Sequence, residues 1–315
     1  MARLVCVFGG SGFIGRHVVR RLAHAGDRVR VAVRDPEGAH FLKPAGTVGQ
    51  IVAVPANLGH DGSIKSAVAG ADAVVNLVGT LTSSGRQNFQ TIHVDGPAAI
   101  AAAAQAAGVK SLVHVSALGA DAASRSAYAR SKAAGEEAVR AAYPAAVILR
   151  PSLVFGPEDS LFNRFATLTG ISPFLPAVGS AHFQPVYVGD VADAIMAGLD
   201  NPALAGQTFS LGGPRRYTMH EIMAMVLTDT GRKRLIIDEP LWLAALQAVF
   251  LQIVPGPLKL TPDQVRSLAI DNTVPEGAPG LAALGISPTS AESIVPTYLS
   301  RFRNPYAPRQ PKVAR

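Results

Sequence analysis

The stretch Leu4-Val5-Cys6-Val7-Phe8-Gly9-Gly10-Ser11-Gly12-Phe13-Ile14-Gly15 decides how this chain is read. Leu4–Phe8 is a short apolar run closed by glycine, as expected of a strand buried on both faces. It leads straight into a GxxGxxG spacing, then an apolar-periodic segment that stops at Gly26, the usual site of a helix C′ glycine. Strand, glycine turn and helix in this order form a pyrophosphate cradle. Gly9 permits the tight turn, Gly12 lets the anion approach the backbone, and Gly15 lets helix and strand pack closely. The helix start adds free N–H groups and the positive end of a dipole. The expected dinucleotide site therefore covers Gly9, Gly10, Ser11, Gly12, Phe13, Ile14 and Gly15.

The second strand identifies the dinucleotide. An NAD site offers Asp or Glu at the end of that strand to hold the ribose 2′-hydroxyl. Here the strand ends at Arg34, with Asp35 one step later. A cation at that point suits the 2′-phosphate of NADP(H), and Arg16 at the helix start is expected to join it. Asp35 is the feature that keeps NAD as the other option.

Outward from the turn, apolar runs alternate with amphipathic stretches in the manner of repeated βαβ units. Strands are expected at 4–8, 29–34, 51–55, 73–78, 111–116 and 146–150. Helices are expected over about 12–25, from Pro97 to the stop at Gly108, and over 126–143. Residues 1–150 thus read as a doubly wound α/β domain, with 184–200 returning to its sheet. Residues 151–315 read as a smaller, irregular lobe facing substrate or partner. A helix over 216–230 opens near Thr218 with Glu221 at capping-box spacing.

A second constellation follows the fifth strand. Ser116 closes that strand, and Tyr128-Ala-Arg-Ser-Lys132 opens the next helix, so Tyr128 and Lys132 share one helical face. A phenol titrates near 10, too high for acid–base work unless tuned, and a nearby ammonium is expected to lower it. Lys132 could also hold a nicotinamide ribose, and Ser116 could polarise a substrate carbonyl or hydroxyl.

Composition sets the outer bounds. With 315 residues, 48% apolar and 16% charged, the chain has core enough for one large or two unequal domains, and wholesale disorder is excluded. A single cysteine, Cys6, excludes an internal disulfide and fits a core role. His220-Glu221 lacks the second histidine of a zinc helix, with Ala224 in its place, so no metal is expected; His93, His114 and His182 read as satisfied structural histidines. The net charge of +7 is concentrated at one end, where Arg301, Arg303, Arg309, Lys312 and Arg315 stand without an acid. Such a tail suits an anionic partner; without interleaved aromatics, nucleic acid is not expected. Leu241–Val254 is apolar nearly all round and shorter than the ~20 residues of a spanning helix. As a helix it must be buried, against the core, a partner or anionic lipid. No secretory or transit segment precedes Arg3, which fits a cytosolic-side bacterial protein or a mature chain.

The succession GxxGxxG, Asn76-Leu77-Val78-Gly79, Ser116, Tyr128-xxx-Lys132 and Leu149-Arg150-Pro151 resembles the extended or atypical short-chain dehydrogenase/reductase superfamily over essentially the whole chain. The resemblance implies a Rossmann-type fold and an NADP site, with Asn57 and Leu58 near the adenine and Val78, Gly79 and Pro151 beside the cofactor. The epimerase Ser-Ser-x-x-Tyr-Gly stretch is replaced by Val115-Ser-Ala-Leu-Gly-Ala120. Gly12-Phe-Ile-Gly-Arg-His17, His114–Ala120, Tyr128–Glu136, Phe183–Ala192 and Leu260–Val265 are similar to the NADPH-binding accessory subunits (alpha subcomplex, bacterial branch) of respiratory complex I. That resemblance implies a structural NADPH and a vestigial Ser116, Tyr128 and Lys132. It also implies partner subunits near the junction of peripheral and membrane arms, on the cytoplasmic side of the inner membrane. The rival expectations are a soluble NADPH-dependent reductase or epimerase and a redox-sensing NADPH binder.

Overall fold

The computed structural model describes residues 2–81, 83, 88–252 and 261–303, which fall into two compact units. The first comprises Met1–Ser152, Val188–Gly212 and Thr273–Pro288. Its strands are β1 (Leu4–Phe8), β2 (Arg28–Val33), β3 (Ile51–Pro55), β4 (Ala73–Asn76), β5 (Ser111–Val115), β6 (Val147–Pro151) and β11 (Thr208–Leu211). Among the described residues they form one parallel sheet in the order β11-β6-β5-β4-β1-β2-β3. The chain winds outward both ways from β1, so the glycine turn after β1 lies where the strand order reverses.

The period-2 alternation of strand side chains explains how this sheet is covered. Cys6 and Phe8, with Val74 and Leu112, face a core shared with α2 (Asp61–Val68), α3 (Gly96–Ala106) and α4 (Ala127–Ala142). Val7 and Val31 crowd Gly10 on the opposite face, together with Val19 of α1 (Phe13–His24). On that same face Val113 and Val147 meet Gly198 of α6 (Val188–Asp200). Cys6 is wholly buried, and burial pushes its thiol up to about 12, so it is an inert core residue.

Strand ends differ from expectation where side chains intervene. β4 stops at Asn76 rather than Val78 because the Asn76 carboxamide accepts the Val78 N–H at 3.1 Å and turns the chain out of the ladder. Helix α2 escaped the sequence reading, since eight residues with only Ile64, Ala67 and Val68 buried carry too little periodicity. A π-helical turn over Gln90–Asp95 precedes α3 and was not expected either.

The second unit comprises Leu153–Tyr187, Gly213–Asn272 and Thr289–Arg315. Three short strand pairs frame it: β7 (Val154–Phe155) with β10 (Val186–Tyr187), β8 (Phe174–Val178) with β13 (Leu235–Glu239), and β9 (His182–Phe183) antiparallel to β12 (Tyr217–Thr218). Helices α5 (Leu161–Ile171), α7 (Met219–Thr230) and α10 (Ala291–Leu299) bury Phe162, Ile222, Val226 and Val295 in a common core. The capping box forms as read: the Thr218 side chain accepts the Glu221 N–H while Glu221 accepts the Thr218 N–H. The helix nevertheless starts at Met219 and not Arg216, because Tyr217–Thr218 pairs with β9.

Two further helices, α8 (Leu241–Leu251) and α9 (Pro262–Leu268), complete the described part. The apolar run from Leu241, expected to be buried against the core, a partner or lipid, does not place its large side chains in this chain's own core. Only Ala244 and Ala248 are buried, while Trp242, Leu246, Val249 and Phe250 are exposed. Ile253 and Val254, at the end of that run, lie outside the described residues, as do Arg309, Lys312 and Arg315 of the basic tail. No helix among the described residues is long and apolar enough to cross a membrane.

Candidate nucleotide and reaction site

Gly9 has φ of 76°, a left-handed conformation that favours glycine. A Cβ on Gly15 would lie 2.4 Å from the Gly9 carbonyl oxygen and 2.6 Å from the Gly10 carbonyl carbon. The third glycine therefore lets the first turn of α1 sit directly on the glycine turn. Gly10 is confined differently, by Val31, Val19 and Val7, and this packing role was not read from the sequence. Gly12 is exposed, and the one neighbour a Cβ there would meet is the Gly9 oxygen at 3.2 Å. It is also the N-cap of α1, with no side-chain cap and no acid in the first turn. Phe13 and Ile14 follow in that first turn and Ser11 precedes it, all half-buried. An uncapped helix end behind an exposed glycine is what a phosphate needs.

At the ends of β2 and β3, Arg34 and Asn57 come together. They line a cleft of ≈ 280 Å³ with Pro55, Ala56, His60 and Ser63. Arg34 and Asp35 are exposed, and Asp35 spends one oxygen on the Gly38 N–H, 3.1 Å away. His60 is the residue here that sequence reasoning missed. It caps α2, its Nδ1 accepting from the Ser63 N–H at 3.1 Å. Two further expected members make contacts of their own. The Arg16 guanidinium lies over the Phe41 ring, 5.1 Å from its centroid, and its Nε is 3.4 Å from the Gly12 oxygen of the glycine turn. Leu58 packs into the core under Gly96, whose Cβ would come within 2.6 Å of it.

Ser116, Tyr128 and Lys132 lie at the other end of the parallel strands' carboxyl edge. Ser116 is buried just beyond β5, its N–H donating to the Leu149 oxygen at 2.7 Å, and its hydroxyl has no protein partner. A buried, unpartnered hydroxyl is costly, so this one is available to a ligand. Tyr128 and Lys132 occupy successive turns of α4, which Ser126 caps through its hydroxyl. Their electrostatics correct the expected tuning. Burial drives the Tyr128 phenol up to about 12. The Lys132 ammonium instead donates to the Val115 oxygen at 3.1 Å. Burial lowers it to about 8, partly opposed by Glu136 one turn along. Glu136 in turn holds Arg150 of the Leu-Arg-Pro run, with Arg150 Nε 2.9 Å from its Oε1. Pro151 ends β6, and its carbonyl accepts the Leu118 N–H at 2.9 Å.

The π-helical turn supplies a neighbour that the sequence reading treated as merely structural. Gly135 of α4 abuts that turn so closely that a Cβ would lie 1.9 Å from the His93 oxygen. His93 then stacks on Phe89 and meets the Tyr128 ring edge-on at 5.4 Å. Its Nε2 accepts the Thr80 N–H at 3.1 Å, which assigns the proton to Nδ1, 2.8 Å from Ser131 Oγ. Ser131 Oγ donates to the Tyr128 carbonyl. Burial, then the Lys132 charge, lowers His93 to about 4, so it is neutral at pH 7. His114 is held well below its ordinary value by burial, then by Lys132, and its Nδ1 lies 3.1 Å from Asn76 Nδ2. Val78 and Gly79 sit on the loop between Asn76 and Thr80. The arrangement thus gathers neutral imidazoles, one buried ammonium, a phenol and a free hydroxyl at the end of a glycine-turn sheet.

Sheet order, glycine turn and Tyr-Lys helix define a Rossmann-type nucleotide-binding α/β protein. The chain belongs to the NAD dependent epimerase/dehydratase family, which matches residues 5–212. It is 34% identical over 91% of its length to NADH dehydrogenase (ubiquinone) 1 alpha subcomplex subunit 9, mitochondrial, of Mus musculus, 77% of which is covered. It is 33% identical to the ceramide reductase of Caulobacter vibrioides, over 88% of this chain and 87% of that one. The UDP-glucose 4-epimerase of Thermus thermophilus in complex with NAD has the same fold, with a TM-score of 0.69 and 21% identity over 96% of this chain and 99% of its own.

Proposed function

We propose that this chain is an NADPH-binding accessory subunit of a complex I-type NADH:quinone oxidoreductase, in which the dinucleotide is a structural ligand. The similarity to the mouse alpha-subcomplex subunit over 91% of the chain carries this reading. The residues fit the ligand. Gly9–Gly15 with the uncapped start of α1 would hold the pyrophosphate, Arg34 the 2′-phosphate, Asn57 the adenine side, and Tyr128 and Lys132 the nicotinamide ribose, with Val78, Gly79 and Pro151 alongside. When bound, the dinucleotide supplies a hydride; in this reading its work is to stabilise the folded subunit, as any ligand specific for the native state does. Lys132 favours that role, because a buried ammonium gains from hydroxyl acceptors whether or not a reaction follows. The subunit would dock on partner subunits near the junction of the peripheral and membrane arms. It would lie on the cytoplasmic face of a bacterial inner membrane and touch anionic lipid.

Affinity purification from native membranes tests this. Quinone-reductase subunits and bound NADPH are expected to come with the chain, and recovery of NADPH without those subunits would refute the assembly role. Ser116 favours a second reading, a reductase acting on a ceramide-type lipid like the relative from Caulobacter. Its hydroxyl is buried without a hydrogen-bond partner, which leaves it available to polarise a substrate carbonyl. Consumption of NADPH with membrane lipid extract, lost in Tyr128→Phe, would establish it in place of the first.

A further inference from the structure

Helix α8 is built the wrong way round for a core helix. At 100° per residue, Leu241, Ala244 and Ala248 share one side, and Trp242, Ala245, Leu246, Val249 and Phe250 share the opposite side. The alanine side packs on Val178 of β8 and on Val265 and Leu268 of α9. The large side chains face out, with Trp242, Leu246, Val249 and Phe250 each 51–70% exposed. A helix that buries its alanines and displays Trp, Leu, Val and Phe gains nothing from its own fold by doing so.

The exposed apolar surface continues onto a sheet. In β8, residues 174, 176 and 178 point to one face and 175 and 177 to the other; Leu175 and Ala177 line the unit's core. The parallel register sets Leu235 beside Phe174 and Ile237 beside Pro176. Phe174, Leu235 and Ile237 therefore share the face on which Val178 receives α8, and each is 43–68% exposed. Two exposed cations border this surface: Lys233 leads into β13, and Arg266 stands on α9, where it meets Asp263 at 3.9 Å. Arg234 instead donates its Nε to the Thr169 oxygen at 3.0 Å, and the Arg232 Nε is buried.

We propose that α8 and the outer face of the β8–β13 pair together form a docking surface for an anionic lipid bilayer, with Trp242 and Phe250 entering the headgroup boundary. Charge and chemistry select this occupant. A protein interface carries about one hydrogen bond per 100–200 Å², whereas the exposed stripe of α8 offers a single polar atom, the Trp242 indole N–H. An apolar face with an indole, bordered by Lys233 and Arg266, matches the bilayer interface. This deepens the peripheral membrane location proposed above and rests on it. The surface adds the β8–β13 face and Lys233 to the helix.

Trp242 is the chain's one tryptophan, so its fluorescence reports on this surface alone. With the full chain and vesicles of phosphatidylcholine and phosphatidylglycerol at 7:3, Trp242 emission is expected to shift to the blue and the protein to co-sediment. Pure phosphatidylcholine should bind roughly tenfold more weakly. Leu246→Glu/Phe250→Glu should weaken sedimentation at least about tenfold, and Phe174→Glu/Leu235→Glu by about threefold, without changing the NADPH-induced rise in Tm. If only the α8 pair has an effect, the composite surface is overturned. If the native chain ignores vesicles of both kinds, while complex I subunits still co-purify in a manner sensitive to the α8 pair, a protein covers the face and the accessory-subunit reading survives. Loss of co-purification from the native chain as well would remove both.

Discussion

The β1–α1 turn with its surroundings and the α8 surface handle apolar residues in opposite ways. Around the turn, β1 has no room to spare: Val5, Cys6, Val7 and Phe8 are all within 1% of full burial, and glycines stand where a single methyl would strike backbone. On α8, large apolar side chains are displayed and small ones packed. The comparison teaches that tight packing accompanies a site that must hold its own geometry, and displayed bulk accompanies a surface completed by something else.

The sharpest way to break this comparison is a pair of substitutions. Gly135→Ala would ordinarily stabilise a helix, but here the methyl meets the His93 carbonyl, and a loss of about 3 kcal/mol or more is expected in urea unfolding. Phe250→Ser on α8 should change stability by less than about 0.5 kcal/mol. Similar losses at both positions would erase the distinction.

Acid should strike the first region selectively. His93 and His114 are pushed below the unfolded value near 6.5, so below that pH the unfolded chain takes up protons first. The stability they confer is present at pH 7 and lost as pH falls, for His93 down to about 4. Between pH 7 and 5 the loss from His93 should be about 2 kcal/mol, with His114 adding in the same direction, and His93→Gln should remove its share. An unfolding free energy that is flat over this range would contradict neutral burial of these rings.

The smallest effects separate the two arginines. Arg34→Glu should weaken NADPH about tenfold or more and leave NADH within about twofold, as expected for one charge-assisted contact to a phosphate. Arg16→Ala, whose guanidinium already lies on Phe41, should cost less than about threefold. Calorimetric titration of both variants with both nucleotides checks this, and equal losses would restore Arg16 to the phosphate site.

Much of the sheet was legible from short runs rich in Val, Ile and Leu: Leu4–Phe8, buried on both faces, and Ile51–Pro55, an edge strand with Val52 exposed, have the bounds read from their composition. Ser116, Tyr128 and Lys132 were legible as residues, but the phenol's environment was not. A four-residue spacing puts Tyr128 and Lys132 on one face, yet only the fold shows the Lys132 ammonium spent on the Val115 carbonyl. His93 carried no signal beyond being a histidine. Its place follows from a π-helical turn and from Gly135, which are 40 residues apart in sequence.

The order of apolar runs, glycines and helix caps was sufficient to determine a doubly wound sheet and the turn at its centre, because these depend on local periodicity and on φ values open only to glycine. Which groups are charged, where each arginine side chain packs and which side of an all-apolar helix faces out were decided by the tertiary structure. Those properties depend on desolvation and on neighbours distant in sequence, and no local pattern encodes them.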